Sequence, residues 1–131
     1  MDIRKFLPLR AGSPRQHQGR EAEARAQRYL EAQGLRLIAA NYRCRYGEID
    51  LIMRQGEVLV FIEVRERRHN GFGGAAASVT RQKQEKIIAT AQHFLQHQPD
   101  FHHAPARFDV LALNPGNTSA PIDWLQAAFM L

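Results

Sequence analysis

Asp50, Glu63 and Arg65 lie in two apolar, β-rich runs separated only by the polar break Arg54-Gln55-Gly56-Glu57. Two such runs around a break that contains glycine predict a β-hairpin. With Gln55 and Gly56 as the loop, Arg54 faces Glu57, Asp50 lies opposite Phe61, and Glu48 lies opposite Glu63. Side chains alternate between faces along a strand. One face then carries Ile49, Leu51, Met53, Val58, Val60, Ile62 and Val64, and the other carries Glu48, Asp50, Glu63 and Arg65 among Ile52, Leu59 and Phe61. Asp50 and Glu63 become diagonal neighbours, about 7–8 Å apart at the backbone and closer at the carboxylates. A hydrated divalent cation fits between them and would relieve the repulsion of Glu48 against Glu63. The simpler reading leaves these acids solvated on the outer face of a hairpin. Against it, they share that face with Phe61, Leu59 and Ile52, which calls for a cover.

The neighbouring elements supply further charged candidates. Arg20 to Gln33 reads as a helix with Ala22, Ala26, Tyr29 and Leu30 as its inward stripe and Gly34 as its stop. Glu23 borders that stripe, either as a site residue or as an acid placed against the helix dipole. Val79 to His97 has apolar residues at helical spacing, with Ser78 or Thr80 to cap it. Lys83 borders its apolar face, with Arg81 and Lys86 nearby; these are phosphate contacts or an ordinary charged flank. Arg67 and Arg68, just after the hairpin, join them as candidate nucleic-acid contacts. His93 and His97 stand four apart, but Phe94 occupies the place where a metalloprotease helix has glutamate, so they read as surface histidines. The glycine-rich stretch Gly71 to Ala77 lacks the spacing and ending of a phosphate loop and reads as a flap beside the site or a linker.

A chain of 131 residues, 44% of them hydrophobic, makes one domain with a real core. The single cysteine, Cys44, excludes a disulfide framework and a cysteine-based zinc site, and fits a reducing compartment. No apolar run approaches a membrane span, so no membrane partner is expected and the expected location is the cytoplasm. Of the net charge of +5, residues 1–19 hold Arg4, Lys5, Arg10 and Arg15 against Asp2, which is +3 and leaves +2 elsewhere. Residues 1–18 therefore read as a flexible basic tail, either a nucleic-acid arm or a solubilising extension, before a domain spanning 19–131. Strands are expected at Leu35 to Tyr42, Arg107 to Leu113 and, shorter, Ile122 to Leu125, with a turn at Asn114 to Asn117. The order implies an α/β protein with a mixed sheet and a helix on each face.

Glu23, the run Gly47-Glu48-Ile49-Asp50-Leu51-Ile52 and the run Phe61-Ile62-Glu63-Val64-Arg65 resemble the YraN family of small bacterial proteins. Val79, Lys83, Arg107-Phe108-Asp109-Val110 and Ala128-Phe129 fit the same pattern, so the resemblance runs from about Gly19 to Phe129. Asp50 followed by Glu63-Val64-Arg65 is also similar to the PD-(D/E)XK nuclease core, and most of all to Holliday-junction resolvases. The resemblance implies a restriction-endonuclease-like three-layer fold, with a mixed central β-sheet flanked by helices. It implies Asp50 and Glu63 as metal ligands, the Val64 backbone carbonyl as a third, and Glu23 bound directly or through water. It makes Glu23, Asp50, Glu63 and Arg65 the catalytic set, Mg2+ or Mn2+ the cofactor, nucleic acid, DNA first, the partner, and a homodimer the assembly. Oxygen ligands of this kind suit those ions.

The chain departs from the family at Arg65, where lysine is usual, and at Ala22, where glycine is usual. Lysine can lose its proton when buried; arginine stays charged but can grip a phosphate with two hydrogen bonds. Two functions are therefore expected. One is a metal-dependent nuclease-like protein acting on branched or single-stranded DNA, or on RNA. The other is a catalytically weak or inactive nucleic-acid-binding module of the same fold. In a third, purely structural reading the acids cluster by accident of the fold.

Overall fold

In the computed structural model, residues 14–67, 78–114, 119 and 121–130 are described, with side chains from residue 19. The basic stretch 1–13, Arg68, the glycine-rich run and residues 115–117 of the expected turn lie outside them. The chain order is α1 (Pro14–Ala32), β1 (Arg36–Cys44), β2 (Gly47–Gln55), β3 (Val58–Glu66), α2 (Arg81–His97), a 3-10 turn at Pro99–Phe101, β4 (Ala106–Leu113) and β5 (Ile122–Phe129). The helix read from Arg20 starts at Pro14, inside the stretch taken as tail. The last strand runs four residues beyond Leu125, to Phe129. Thr80 is the cap of α2, its hydroxyl accepting from the Lys83 N–H at 3.1 Å.

The five strands form one mixed sheet in the order β1-β2-β3-β4-β5. Only β3 and β4 are parallel, joined by the crossover that contains α2. Among the described residues each face is covered by one helix, which gives the three-layer α/β arrangement. Toward α1 lie Leu51, Met53, Val60, Ile62, Leu111 and Leu113, packed on Ala22, Ala26 and Leu30. Toward α2 lie Ile52, Leu59, Phe61, Phe108 and Val110, packed on Ile87, Ala91 and Phe94. The cover required for Phe61 and its neighbours is therefore α2.

The hairpin differs from its expected register. Gln55 pairs with Val58, so the loop is Gly56-Glu57, with Gly56 at φ +59 in its first position. Primed hairpin turns need a positive φ there, which glycine supplies without strain. The Arg54 Nε–H donates to the Gly56 carbonyl at 2.7 Å and braces the turn. Ile52 now faces Phe61, a shift of two residues, which preserves faces but brings Asp50 level with Glu63 instead of diagonal to it. Glu48 is not opposite Glu63; it faces Arg43 on β1 and pairs with it at 3.3 Å. Ile49 also leaves its expected face and joins Tyr42 in the core under α2. The change comes beside Asn41, at φ +55, where the β1–β2 ladder keeps its register from Ala40–Leu51 to Tyr42–Ile49 but lacks the rung between.

The three ladders end at different places. β2–β3 pairing stops at Leu51–Ile62, whereas β1–β2 runs on to Cys44–Gly47 and β3–β4 to Glu66–Leu113. The sheet thus forks, with residues 47–50 on one tine and 63–66 on the other. At the opposite edge a buried acid fastens β5. Asp109, 0% exposed, accepts from Arg107 Nε at 3.0 Å, Trp124 Nε1 at 3.0 Å and the Ala127 N–H at 2.9 Å. Ala127, at φ +50, and the register shift between Phe108 and Val110 mark the bulge that this carboxylate fills. Removing one partner of a buried pair leaves the other charge uncompensated. Asp109→Ala should therefore cost about 3–5 kcal/mol in urea unfolding. A loss under about 1 kcal/mol would mean that the clasp does not hold β5.

Candidate metal centre

Four acids meet at the mouth of the fork. Glu23 reaches it from α1, Glu48 and Asp50 from β2, and Glu63 from β3. Carboxylate oxygens of Glu23, Glu48 and Asp50 all lie within 4.8 Å of one another. Asp50 is the hub: its Oδ2 accepts the Val64 N–H at 2.8 Å, and it couples to both Glu23 and Glu63. Where the β2–β3 ladder has ended, a side chain takes the backbone donor that would otherwise lack a partner. Glu23 Oε2 is buried with no hydrogen-bond partner. The Asn41 side chain, from the point where the β1–β2 ladder skips a rung, is close enough to favour the charged form of that carboxyl group.

The electrostatics follow from crowding acids out of water. Burial pushes Glu23 up to about 8, with the charges of Asp50 and Glu48 adding and the Asn41 hydrogen bond opposing. Burial also pushes Glu63 up to about 8, with Asp50 adding and Lys83 and Arg65 opposing. Asp50 is raised by burial too, against the stabilising Val64 N–H and Lys83. A buried carboxylate oxygen without a donor, among acids that resist ionising together, fits a divalent cation bound through oxygen.

Two cations attend this group. Arg65 Nη1 lies 3.8 Å and Lys83 Nζ 4.0 Å from the same Glu63 oxygen, Oε1. Lys83, read from sequence only as a possible phosphate contact on a helix flank, belongs to the acid cluster itself. Lys86 is next to the turn before β2, its Cβ 3.6 Å from the β-carbon position at Gly47. Arg81 instead runs along its own helix toward Glu85 at 3.8 Å and is highly exposed. Arg67 closes β3 against β4, its N–H donating to the Leu113 carbonyl at 2.8 Å. Glu48 and Asn41 were not singled out from sequence as candidate ligands or supports. The expected register sets Glu48 against Glu63 instead of Arg43, and Asn41 carries no signal beyond asparagine's tolerance of positive φ.

The profile of the uncharacterised protein family UPF0102 matches residues 22–113. A UPF0102 protein of Pseudomonas syringae pv. syringae is 53% identical over 119 residues, covering 89% of this chain and 96% of the relative. One of Methylobacillus flagellatus is 54% identical over 111 residues, covering 85% and 95%. The UPF0102 protein YraN of Escherichia coli O1:K1 is 51% identical over 128 residues, covering 94% and 95%.

Calorimetry with Mn2+ should find one site in the wild type, and Asp50→Asn should lose most of the binding. Equal binding by both proteins would sink the assignment. The raised acids also make stability depend on pH. Between their ordinary value of 4.5 and about 8, the native state holds protons that the unfolded chain has released. Stability therefore falls as pH rises through that window. Urea midpoints of the metal-free protein should drop across it, less steeply in Glu63→Gln, and Mn2+ should offset the drop. A flat profile in the wild type would mean that these carboxyls are not raised.

Proposed function

The chain belongs to the uncharacterised protein family UPF0102, and from its forked sheet we propose a metal-dependent nuclease-like protein that binds nucleic acid, DNA first, and hydrolyses its phosphodiester bonds. The observation that carries this reading is the orphaned Glu23 oxygen beside Asp50, with Glu48 and Glu63 at the same mouth. Asp50 and Glu63 would hold Mg2+ or Mn2+, with Glu23 and the Val64 carbonyl as further ligands. Such an ion, when bound, supplies Lewis acidity toward a phosphoryl oxygen and makes water a better nucleophile.

The remaining work falls to the chain's own cations. Lys83 and Arg65 approach the cleft from different layers, one from α2 and one from β3. Both rest on Glu63 without a scissile phosphate. With one nearby they turn to its oxygens, where charge builds in the transition state. Arg65 offers two parallel donors and Lys83 a compact charge. Lys83 thus brings a lysine to a site whose motif position has none. Asp50 is oriented by the Val64 N–H, so it does not need to be organised by substrate.

The second reading, a binding module with weak or no catalysis, draws on Arg65, which cannot give up a proton. No helix among the described residues is long and apolar enough to cross a membrane, which is compatible with a cytoplasmic reaction on DNA. A homodimer would present two such clefts to a branched duplex.

Labelled duplex, single-stranded and branched DNA, and RNA, incubated with Mg2+ or Mn2+ and with a chelator control, test the proposal. Cleavage should require the ion and vanish in Asp50→Asn. Lys83→Ala should lower it about 100-fold, the loss typical of removing one transition-state donor. Arg65→Lys should raise it about tenfold, equal to about 1.4 kcal/mol at the barrier. If no protein cleaves anything and Arg65→Ala only weakens binding, the module reading replaces this one.

A further inference from the structure

The turn between β1 and β2 carries a surface that the cleft does not use. Tyr46, 42% exposed, is one of two large hydrophobic side chains left open among the described residues. The Arg45 guanidinium lies 4.8 Å from the centre of its ring. His93 on α2 meets the Tyr46 ring edge-on at 6.3 Å, and His97 stacks on His93 at 4.1 Å. Tyr42 holds His93 from below through its hydroxyl. The ring is therefore held by His93 and Arg45 while much of it stays exposed. Lys86 stands between this platform and Lys83, one turn along the same helix.

Tyr46 lies in the turn two residues before Glu48, at the root of the tine that carries the acids. The platform is therefore next in the chain to the acids of the cleft. Aromatic rings and arginine planes bind the faces of unpaired bases, and lysines beside them track the phosphates. A paired base has its faces covered by its neighbours and cannot use such a ring.

Resting on the function proposed above, we infer that the seam between the β1–β2 turn and α2 binds an unpaired strand of nucleic acid as it leaves the cleft. A base stacks on the Arg45–Tyr46 platform and Lys86 contacts the phosphate next to it. The site thereby favours substrates with a single-stranded flank over continuous duplex.

The test measures binding without cleavage, in chelator, so that it succeeds or fails independently of catalysis. Fluorescence anisotropy compares a labelled oligothymidine of about 12 nucleotides, within the span of single-strand sites, with a duplex of equal length. Wild type should bind the single strand more tightly. Tyr46→Ala should weaken that binding about 5- to 150-fold, as loss of one stacked base does, and leave duplex binding unchanged. Tyr46→Phe should retain it. Lys86→Ala should reduce the slope of log affinity against log salt by about 0.7. The inference is overturned if wild type prefers duplex or binds neither probe. It is also overturned if Tyr46→Ala, with its melting temperature unchanged, binds like wild type. Single-strand binding lost in Tyr46→Ala, in a protein that cleaves nothing, would uphold the seam and reject the nuclease.

Discussion

The hydrogen bond from the Val64 N–H to Asp50 Oδ2 is where this structure turns from sheet to site. Up to Leu51–Ile62, β2 and β3 satisfy each other by backbone pairing. Beyond it they separate, and a carboxylate takes over as acceptor. That exchange opposes the burial that raises Asp50, and draws Glu63 from the facing strand into its field. It also opens a gap that both covering helices can reach. Glu23 and Lys83 sit on opposite sides of the sheet, and only a break in the sheet lets them serve one cluster.

Asp109 shows what a purely structural acid looks like in the same molecule. It is more deeply buried than Asp50, yet Arg107, Trp124 and the Ala127 amide saturate it. Nothing is left for a ligand. Glu23, by contrast, keeps an oxygen with no donor at all. Burying a carboxylate without partners is costly, so such an arrangement persists where something else compensates it. The contrast separates the two acids better than burial does. It also gives the Arg107-Phe108-Asp109-Val110 run a mechanical role, since it holds β5 and, through Trp124 against Tyr29, steadies the helix that carries Glu23.

Much of this was legible in the sequence, for identifiable reasons. Strands β2 and β3 and helix α2 are strongly periodic, and their apolar stripes dictated the layers. Glu23, Asp50 and Glu63 stood out because acids beside buried stripes are unusual. The hairpin register was not legible, because one glycine fits either position of a two-residue loop. Asn41 was hidden for a related reason: a single left-handed residue inside a strand changes which face its neighbours occupy, and periodicity assumes that none exists. Lys83 was visible as a charge on a helix flank, but its partner is twenty residues earlier and across the crossover. Contacts of that kind belong to topology, which local pattern does not encode.

Gly47 sets the gauge of the cleft. A β-carbon there would meet Thr90 Oγ1 at 3.3 Å, and that hydroxyl is already tied to the Lys86 carbonyl at 2.8 Å. Any side chain at this position, already at φ +151, would act as a shim between turn and helix and shift the tine that carries Glu48 and Asp50 by a few tenths of an ångström. Mg2+ holds oxygens at about 2.0–2.1 Å and Ca2+ at about 2.3–2.6 Å, a difference of the same size. In the function proposed above, the hydrogen atom of a glycine that touches no ion would therefore bear on which of these ions the acids accept.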